Sequence, residues 1–228
     1  MVLSSSNKWE SGIFLEVEWN RNTMEIDLKR IKQSTVTEFL KKFGISTLDQ
    51  LAALKPLCYN EANAGTYRRH VHTFQIKKDV RTVWNVYANI HPKEAWNTGM
   101  VSFGLQFSRS NHSINYLSDP DSGMEKDQIL LLNLRLPGGL ANIAVAHYVA
   151  EINEEKRVIK LCYMEGGASE GSQWISLKET AEGFTEVTHL TLYKSNSIFR
   201  DKILYPPLHT RAISEFHEIV RRKANLQG

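Results

Sequence analysis

The sequence has little of what marks several large classes of protein. It contains two cysteines, Cys58 and Cys162, and neither lies in the CxxC or Cys/His spacing of a zinc site or a redox site. No stretch approaches the roughly 18 consecutive apolar residues of a membrane-spanning helix, and the first residues lack the basic and apolar regions of a secretory signal. We therefore expect a soluble, cytoplasmic protein with two free thiols and no stable insertion into a membrane.

An excess of charge of one sign is also missing. The 28 Lys and Arg residues nearly balance the 25 Asp and Glu residues, which leaves a net charge of +3 over 228 residues. Basic residues cluster only in short runs, at residues 67–70 and 221–223. A nucleic-acid-binding domain normally shows a concentrated basic face. The sequence therefore predicts no nucleic-acid partner.

The first 65 residues predict an extension that precedes the main domain. Residues 13–19 alternate between apolar and polar side chains, which is typical of a half-buried strand. Residues 27–42 have apolar residues at helical spacing, and Gly44 follows as a helix-ending residue. A second, short helix begins at Ser46 and Thr47 and ends before Pro56. We place the domain boundary in the polar residues 60–65, which gives an extension over residues 1–65 and a main domain over residues 66–228.

The main domain alternates strands and turns and closes with a helix. A strand at residues 70–76 precedes a helix that begins after Asp79 and ends at His91 and Pro92, and a second strand spans residues 101–107. The polar residues 108–126 predict a long, mobile flap. Five further strands are predicted at residues 128–136, 142–151, 158–164, 171–177 and 185–193, and a helix at about residues 207–223. Strands without intervening helices form an antiparallel meander, so we predict an α+β fold with five or six strands curved around the C-terminal helix.

Parts of this pattern resemble a known family. Residues 74–84, FQIKKDVRTVW, are similar to the opening strand, basic turn and helix of the START-like superfamily, also called SRPBCC. The superfamily includes polyketide cyclases, aromatases and the birch-pollen-allergen proteins. Residues 171–177, GSQWISL, and the closing helix extend the resemblance over residues 67–223, whereas residues 1–63 have no counterpart in the minimal family pattern. The resemblance implies a helix-grip fold with a cavity between sheet and helix for a lipid, a polyketide or another aromatic compound.

Three residues on the predicted strands could move protons in such a cavity. His147 and His189 have the residue type best suited to proton transfer at neutral pH, although a histidine bonded within the core or on the outer face is the alternative. The phenol of Tyr163 could donate to a ligand carbonyl, or it could bond to the backbone. Strand parity places His147 and Tyr148 on opposite faces, so only one of the two can face the cavity.

A second group of residues could contact a ligand without moving protons. Arg135 lies on an apolar strand and must therefore find an anion or lie outside the core. His70 and His72 have an HxH spacing, but no third metal ligand is identifiable, so we predict no metal. The glycine turns lack a phosphate-loop pattern, and we predict no cofactor. The predicted ligand-binding residues are Trp84, Asn133, Arg135, Tyr148, Trp174, Tyr193 and Phe216.

These observations favour a protein that binds a hydrophobic or aromatic small molecule in an internal cavity. The alternative is an enzyme of the polyketide cyclase, aromatase or dehydratase type, using acid/base groups in that cavity. A third hypothesis assigns protein interaction, including formation of a homodimer, to the N-terminal helices. The sequence also leaves open whether those helices cover the cavity mouth.

Overall fold

The architecture is described by a computed structural model that covers residues 24–136 and 141–227. The strand predicted at residues 13–19 and the glycine turn that follows Leu136 lie outside these ranges. Within them, the strands are Pro56–Leu57 (β1), Arg68–Ile76 (β2), Val101–Ser108 (β3), Ser113–Tyr116 (β4), Gln128–Arg135 (β5), Asn142–Asn153 (β6), Val158–Met164 (β7), Glu170–Glu179 (β8) and Thr185–Lys194 (β9). The helices are Ser34–Lys42 (α1), Leu48–Ala53 (α2), Val80–Asn89 (α3), Pro92–Ala95 (α4) and Tyr205–Leu226 (α5).

The strands form one antiparallel sheet in the order β2-β9-β8-β7-β6-β5-β3-β4, and β1 pairs with the end of β7. Neighbours along the chain are neighbours in the sheet from β5 to β9, as the meander predicts. The described residues contain nine strands, which is more than the seven segments predicted in the main domain and the five or six strands predicted around the C-terminal helix. The additional strands include β4, which pairs with β3 inside the segment predicted to be a mobile flap, so that part of the prediction was wrong.

Helices α2, α3 and α4 begin where the sequence supplies a side-chain cap. Asp79 accepts hydrogen bonds from the backbone N–H groups of Arg81 and Thr82 at the start of α3. Thr47 forms a capping box with Gln50 at the start of α2. Helix α1 begins at Ser34 rather than at Asp27, because Asp27 caps only a short 3-10 turn, Leu28–Arg30, before an extended linker. Gly44 follows α1 with a φ of +64°, as predicted for a helix-ending glycine.

The two faces of the sheet are covered by different helices. Helix α5, with α3 and α4, packs against the concave face through a core that includes Leu130, Leu132, Ile159 and Phe216. Helices α1 and α2 pack against the opposite, convex face, where Leu131 and its neighbours form a second apolar core. The N-terminal helices therefore lie behind the sheet and do not cover the cavity mouth. The division of the chain at residue 65 stays a prediction.

The close approach of α1 to the sheet depends on one glycine. Gly104 lies at an irregularity of β3, between Phe103 and Leu105. A Cβ atom at this position would lie 2.7 Å from the Leu131 carbonyl oxygen and 2.8 Å from a methyl carbon of Val36. Because both distances are well inside van der Waals contact, only glycine allows Val36 to pack this closely.

The two cysteines form a disulfide bond, so the prediction of two free thiols was wrong. The pairing of β1 with β7 explains it: Leu57 pairs with Tyr163, which places the next residue, Cys58, opposite Cys162. The two Cα atoms are 4.8 Å apart. The cytoplasmic location stays a prediction, and this bond weighs against it, because structural disulfides persist mainly in oxidising compartments.

Among the described helices, none is long and apolar enough to cross a membrane.

Removing the disulfide should destabilise the protein without changing its fold. The bond closes a loop across 104 positions, and such a constraint on the unfolded chain typically contributes about 2–4 kcal/mol. We expect the double variant Cys58→Ser/Cys162→Ser to lose about this much free energy of unfolding in urea titrations followed by circular dichroism. Dithiothreitol should lower the stability of the unsubstituted protein to that of the variant and leave the variant unchanged. Finding two titratable thiols in the denatured, unreduced protein would contradict the pairing.

Candidate functional site

A cavity of about 190 Å³ lies between the concave face of the sheet and α5. Its wall is mainly apolar, and the apolar side chains come from β3, β5, β6 and α5 and from Trp96, which directly follows α4. They include Trp96, Leu132, Leu134, Val145, Leu208, Ala212 and Ile213. Polar groups are confined to His147, Tyr163, Ser169, Gln173, Arg200, Tyr205 and His209. The arrangement is an apolar chamber with a polar end.

The cavity opens between β6 and the start of α5. Ile143 and Leu204 both line the cavity and are 37% and 44% exposed. Leu204 belongs to a π-helical turn, Arg200–Leu204, that leads directly into α5. This turn therefore forms one side of the mouth.

Gln173 is the centre of the polar end. Its carbonyl oxygen accepts hydrogen bonds from the Nε2 atoms of His189 at 2.9 Å and His209 at 3.3 Å. Its amide nitrogen donates to the Nε2 atom of His147 at 2.9 Å and to the hydroxyl of Tyr163 at 3.1 Å. A carboxamide has two donor protons and two acceptor lone pairs, so every hydrogen-bonding position of Gln173 is used.

The first branch from Gln173 runs through two further histidines to a buried tyrosine. Because His189 donates from Nε2, its Nδ1 is an acceptor in the neutral ring, and it accepts from His217 Nε2 at 2.8 Å. The Nδ1 atom of His217 then accepts from the Tyr87 hydroxyl at 2.5 Å. The orientation of one carboxamide thus fixes the tautomers of both imidazoles.

The second branch runs to the edge strand β2. His209 donates to Gln173, so its Nδ1 accepts from His70 Nδ1 at 3.2 Å. His70 Nε2 lies 3.2 Å from His72 Nε2, and the hydroxyl of Thr210 lies within 3.1 Å of both. Together with His147, which bonds directly to Gln173, the two branches connect six of the eight histidines of the chain.

Two tyrosine hydroxyls complete the polar end. The oxygens of Tyr163 and Tyr205 are 2.5 Å apart, and the ring of Tyr205 stacks between Tyr193, at a centroid distance of 3.6 Å, and His209, at 4.9 Å. The pair has two hydroxyl protons, of which one lies between the two oxygens. Since Gln173 only donates to Tyr163, one O–H proton has no acceptor among the described residues.

Burial keeps these groups uncharged at neutral pH. It lowers the pKa of His147 to about 4, and burial together with neighbouring imidazoles lowers the pKa of His189 to about 3. The pKa values of His209 and His217 are also held well below the usual range, mainly by burial. Burial raises the pKa of the Tyr163 phenol, which therefore remains protonated. The network is a set of neutral donors and acceptors.

The structure brings all three residues predicted to move protons into this network. His147 and Tyr163 line the cavity, and His189 lies directly behind Gln173. Of the seven predicted ligand-binding residues, Tyr193 is nearest to the polar end; its ring stacks on Tyr205 and its hydroxyl donates to the Asp201 carbonyl oxygen at 2.7 Å.

Four of the predicted ligand-binding residues point away from the cavity. Asn133 lies on the convex face, where it bonds to Thr35 of α1 and to Ser102. Tyr148 packs against the convex core and donates to Asp127. Arg135 donates to the carbonyl oxygens of Thr98 and Gly99 near the surface, and Trp174 packs against Tyr59 and Lys160.

The remaining two lie in the concave core without lining the cavity. Trp84 is 5% exposed and belongs to the core beneath α3. Phe216 stacks on Trp96 at a centroid distance of 4.5 Å, and Trp96 in turn lines the cavity. Phe216 therefore supports the cavity wall from behind.

Sequence reasoning missed Gln173, Arg200, Tyr205, His209 and His217. The sequence pattern could have identified three of them. His209 and His217 lie four positions before and after Ile213, on the predicted apolar stripe of α5. Gln173 has the same parity as Ile175 and Leu177 in β8, so a polar side chain on an apolar face was visible. Arg200 and Tyr205 precede the predicted helix and gave no such signal.

Among the described residues, no group of three histidine, cysteine, aspartate or glutamate side chains is arranged to hold a metal ion. The imidazoles of His70 and His72 contact each other and Thr210 instead.

The network predicts a loss of stability in mild acid. In the unfolded chain a histidine takes up a proton near pH 6.5, whereas His147 does so only at about 4 and His189 at about 3 in the folded protein. The unfolded state therefore binds more protons between these values, and stability falls as the pH falls through that window. Each such histidine contributes a slope of about 1.4 kcal/mol per pH unit.

This slope is measured by urea unfolding between pH 7 and pH 5, because most carboxylates titrate below that range. We expect His147→Gln to reduce the slope. His112→Asn is the matched control, because His112 lies outside the network and its positive φ of 48° is tolerated by asparagine. Equal free energies of unfolding at pH 7 and pH 5 would contradict the neutral network.

Comparison with known proteins bears on the fold. Norcoclaurine synthase from Thalictrum flavum, solved in complex with dopamine and hydroxybenzaldehyde, is 15% identical, with a TM-score of 0.51 over 75% of this chain and 94% of that one. Major latex-like protein 151 from Panax ginseng is 11% identical, with a TM-score of 0.51 over 70% and 99%. The KanY protein is 13% identical, with a TM-score of 0.50 over 70% and 98%. No protein-family model matches the sequence, and no curated protein matches it significantly.

At these identities the likeness concerns the fold, and it agrees with the observed sheet, cavity and C-terminal helix. The chain adopts the helix-grip fold, as the resemblance of its sequence to the START-like superfamily predicted.

Proposed function

We propose that this protein binds a hydrophobic or aromatic small molecule in the cavity between the sheet and α5. The observation that supports the proposal is an apolar chamber with its few polar groups gathered at one end, which is the usual composition of a small-molecule site. The apolar wall provides affinity through burial of the ligand, and the polar end orients it.

The cavity volume limits the size of the ligand. Its 190 Å³ is somewhat larger than an engineered apolar cavity of about 150 Å³ in another protein, which binds benzene. It is smaller than the roughly 300–1,000 Å³ typical of sites for drug-sized molecules. A molecule with one aromatic ring, or a medium-length acyl chain, therefore fits better than a sterol or a multi-ring polyketide.

Filling the cavity should abolish binding. Ala212 lies on α5 in the cavity wall, so we expect Ala212→Phe to occupy the space that the ligand needs. Binding of 2-phenylethanol and 1-octanol is measured by calorimetry, and thermal melts establish that the variant folds. Ala62→Phe, at an exposed position far from the cavity, is the matched control and should bind as the unsubstituted protein does. Absence of binding by the unsubstituted protein to any apolar probe of this size would contradict the proposal.

The alternative, an enzyme that moves protons in the cavity, draws on Tyr163 and its neighbour Tyr205. A phenol that donates to a carbonyl oxygen can stabilise an enolate, the intermediate of aldol cyclisation and dehydration. Enolate formation also needs a base. The lone pair of His147 is occupied by Gln173 and that of His189 by His217, so neither of the two histidines predicted to move protons offers a free base at the polar end. The lack of a free histidine base at the polar end therefore favours binding over catalysis.

Deuterium exchange distinguishes the two functions. We expect the methyl protons of acetophenone in deuterated buffer to exchange no faster with the protein than without it, because no free base lies at the polar end. The measurement is the loss of the methyl signal in proton NMR. Acceleration that is lost in Tyr163→Phe but kept in Tyr148→Phe, whose hydroxyl lies on the convex face, would establish the catalytic alternative instead.

A further inference from the structure

The polar end of the cavity has unpaired hydrogen-bond donors, and both acceptor positions of its central carboxamide are occupied. The Tyr163 and Tyr205 pair has one O–H proton without an acceptor. His147 accepts at Nε2, so its proton is on Nδ1, and this buried atom has no partner among the described residues. The carbonyl oxygen of Gln173 already accepts two hydrogen bonds. A ligand that complements this end must therefore supply acceptors.

Arg200 adds a positive charge to the same end. Its side chain lines the cavity, and its Nε and Nη2 atoms are buried without a partner in the described part of the chain. The adjacent Asp201 does not neutralise it, because the Asp201 carboxylate accepts instead from the backbone N–H and the hydroxyl of Ser195. Buried N–H groups of a guanidinium without an acceptor are costly, since their desolvation penalty is not recovered.

The Nε and Nη2 atoms have the geometry of a carboxylate clamp. They are two of the five donors in the planar fork of a guanidinium, and such an edge binds the two oxygens of a carboxylate side by side. The opposite wall is apolar, and the cavity holds about one ring or a short chain. A doubly charged phosphate group would bring more charge than one arginine balances, whereas a carboxylate balances it one to one.

Resting on the proposed binding function, we propose that the ligand is a small hydrophobic carboxylic acid whose carboxylate binds Arg200, with its apolar part in the chamber. The free hydroxyl proton of the tyrosine pair donates to one carboxylate oxygen. The acid enters through the mouth beside the Arg200–Leu204 turn. Arg200 is thus the residue that determines specificity for anions, and the apolar wall determines the size of the acid.

The test compares acids with their neutral amides of the same shape. 3-Phenylpropanoate and octanoate are titrated against 3-phenylpropanamide and octanamide by calorimetry at pH 7.5. We expect each acid to bind about 10-fold to 100-fold more tightly than its amide, the range expected for hydrogen bonds to charged groups. In Arg200→Gln the acid should lose this advantage while the amide binds as before. Lys202→Gln, which removes an exposed charge from the same turn, is the matched control and should leave both affinities unchanged.

The outcomes separate this inference from the function on which it rests. If the acids and amides bind equally well, or if Arg200→Gln keeps the preference for the acid, the carboxylate site is overturned while binding in the cavity stands. If no acid, amide or alcohol binds to the unsubstituted protein, the cavity-binding function itself fails. The comparison of acid with amide on the unsubstituted protein remains decisive even if Arg200→Gln does not fold.

Discussion

The carboxamide of Gln173 is the interaction on which the polar interior depends. It joins side chains from three strands and from α5, and it uses both of its donors and both of its acceptors. Its oxygen faces His189 and His209, and its nitrogen faces His147 and Tyr163. This orientation determines which atom donates and which accepts in every hydrogen bond of the two branches. Reversing the amide would require His189 and His209 to take the opposite tautomers, so the carboxamide and the imidazoles of both branches change orientation together.

This constraint also determines what the cavity offers to a ligand. A fully satisfied network in an apolar surrounding costs little, whereas an unsatisfied member is expensive. Six buried side-chain polar atoms have no partner among the described residues, and three of them, His147 Nδ1 and Arg200 Nε and Nη2, lie in residues of the cavity wall. All three are donors. Unpaired donors therefore lie on one side of an apolar chamber. They give the cavity a preference for ligands with hydrogen-bond acceptors, which neither the fold nor the apolar wall alone would give.

Much of the fold could be predicted from the sequence, because period-two alternation and capping residues are local signals. Asp79 and Gly44 mark helix ends, and the parity of His189 and Tyr163 places both on the concave face as the pattern of their strands indicates. The convex placement of Asn133 and the pairing of Cys58 with Cys162 could not be predicted, because both depend on which elements meet in space. A strand with two apolar faces, such as β5, does not reveal which face meets which helix.

That ambiguity has a physical origin in the three-layer architecture. With α1 and α2 on the convex face, β5 and its neighbours are buried on both sides, and the apolar stripe of α5 does not have to supply the whole core. The second core therefore provides stability that the concave face alone would otherwise have to provide. The concave face can then hold a hollow and six connected histidines, which a two-layer domain of this size would tolerate less well, since cavities and buried polar groups both subtract from stability. The helices behind the sheet are in this sense part of the site, although they do not contact it.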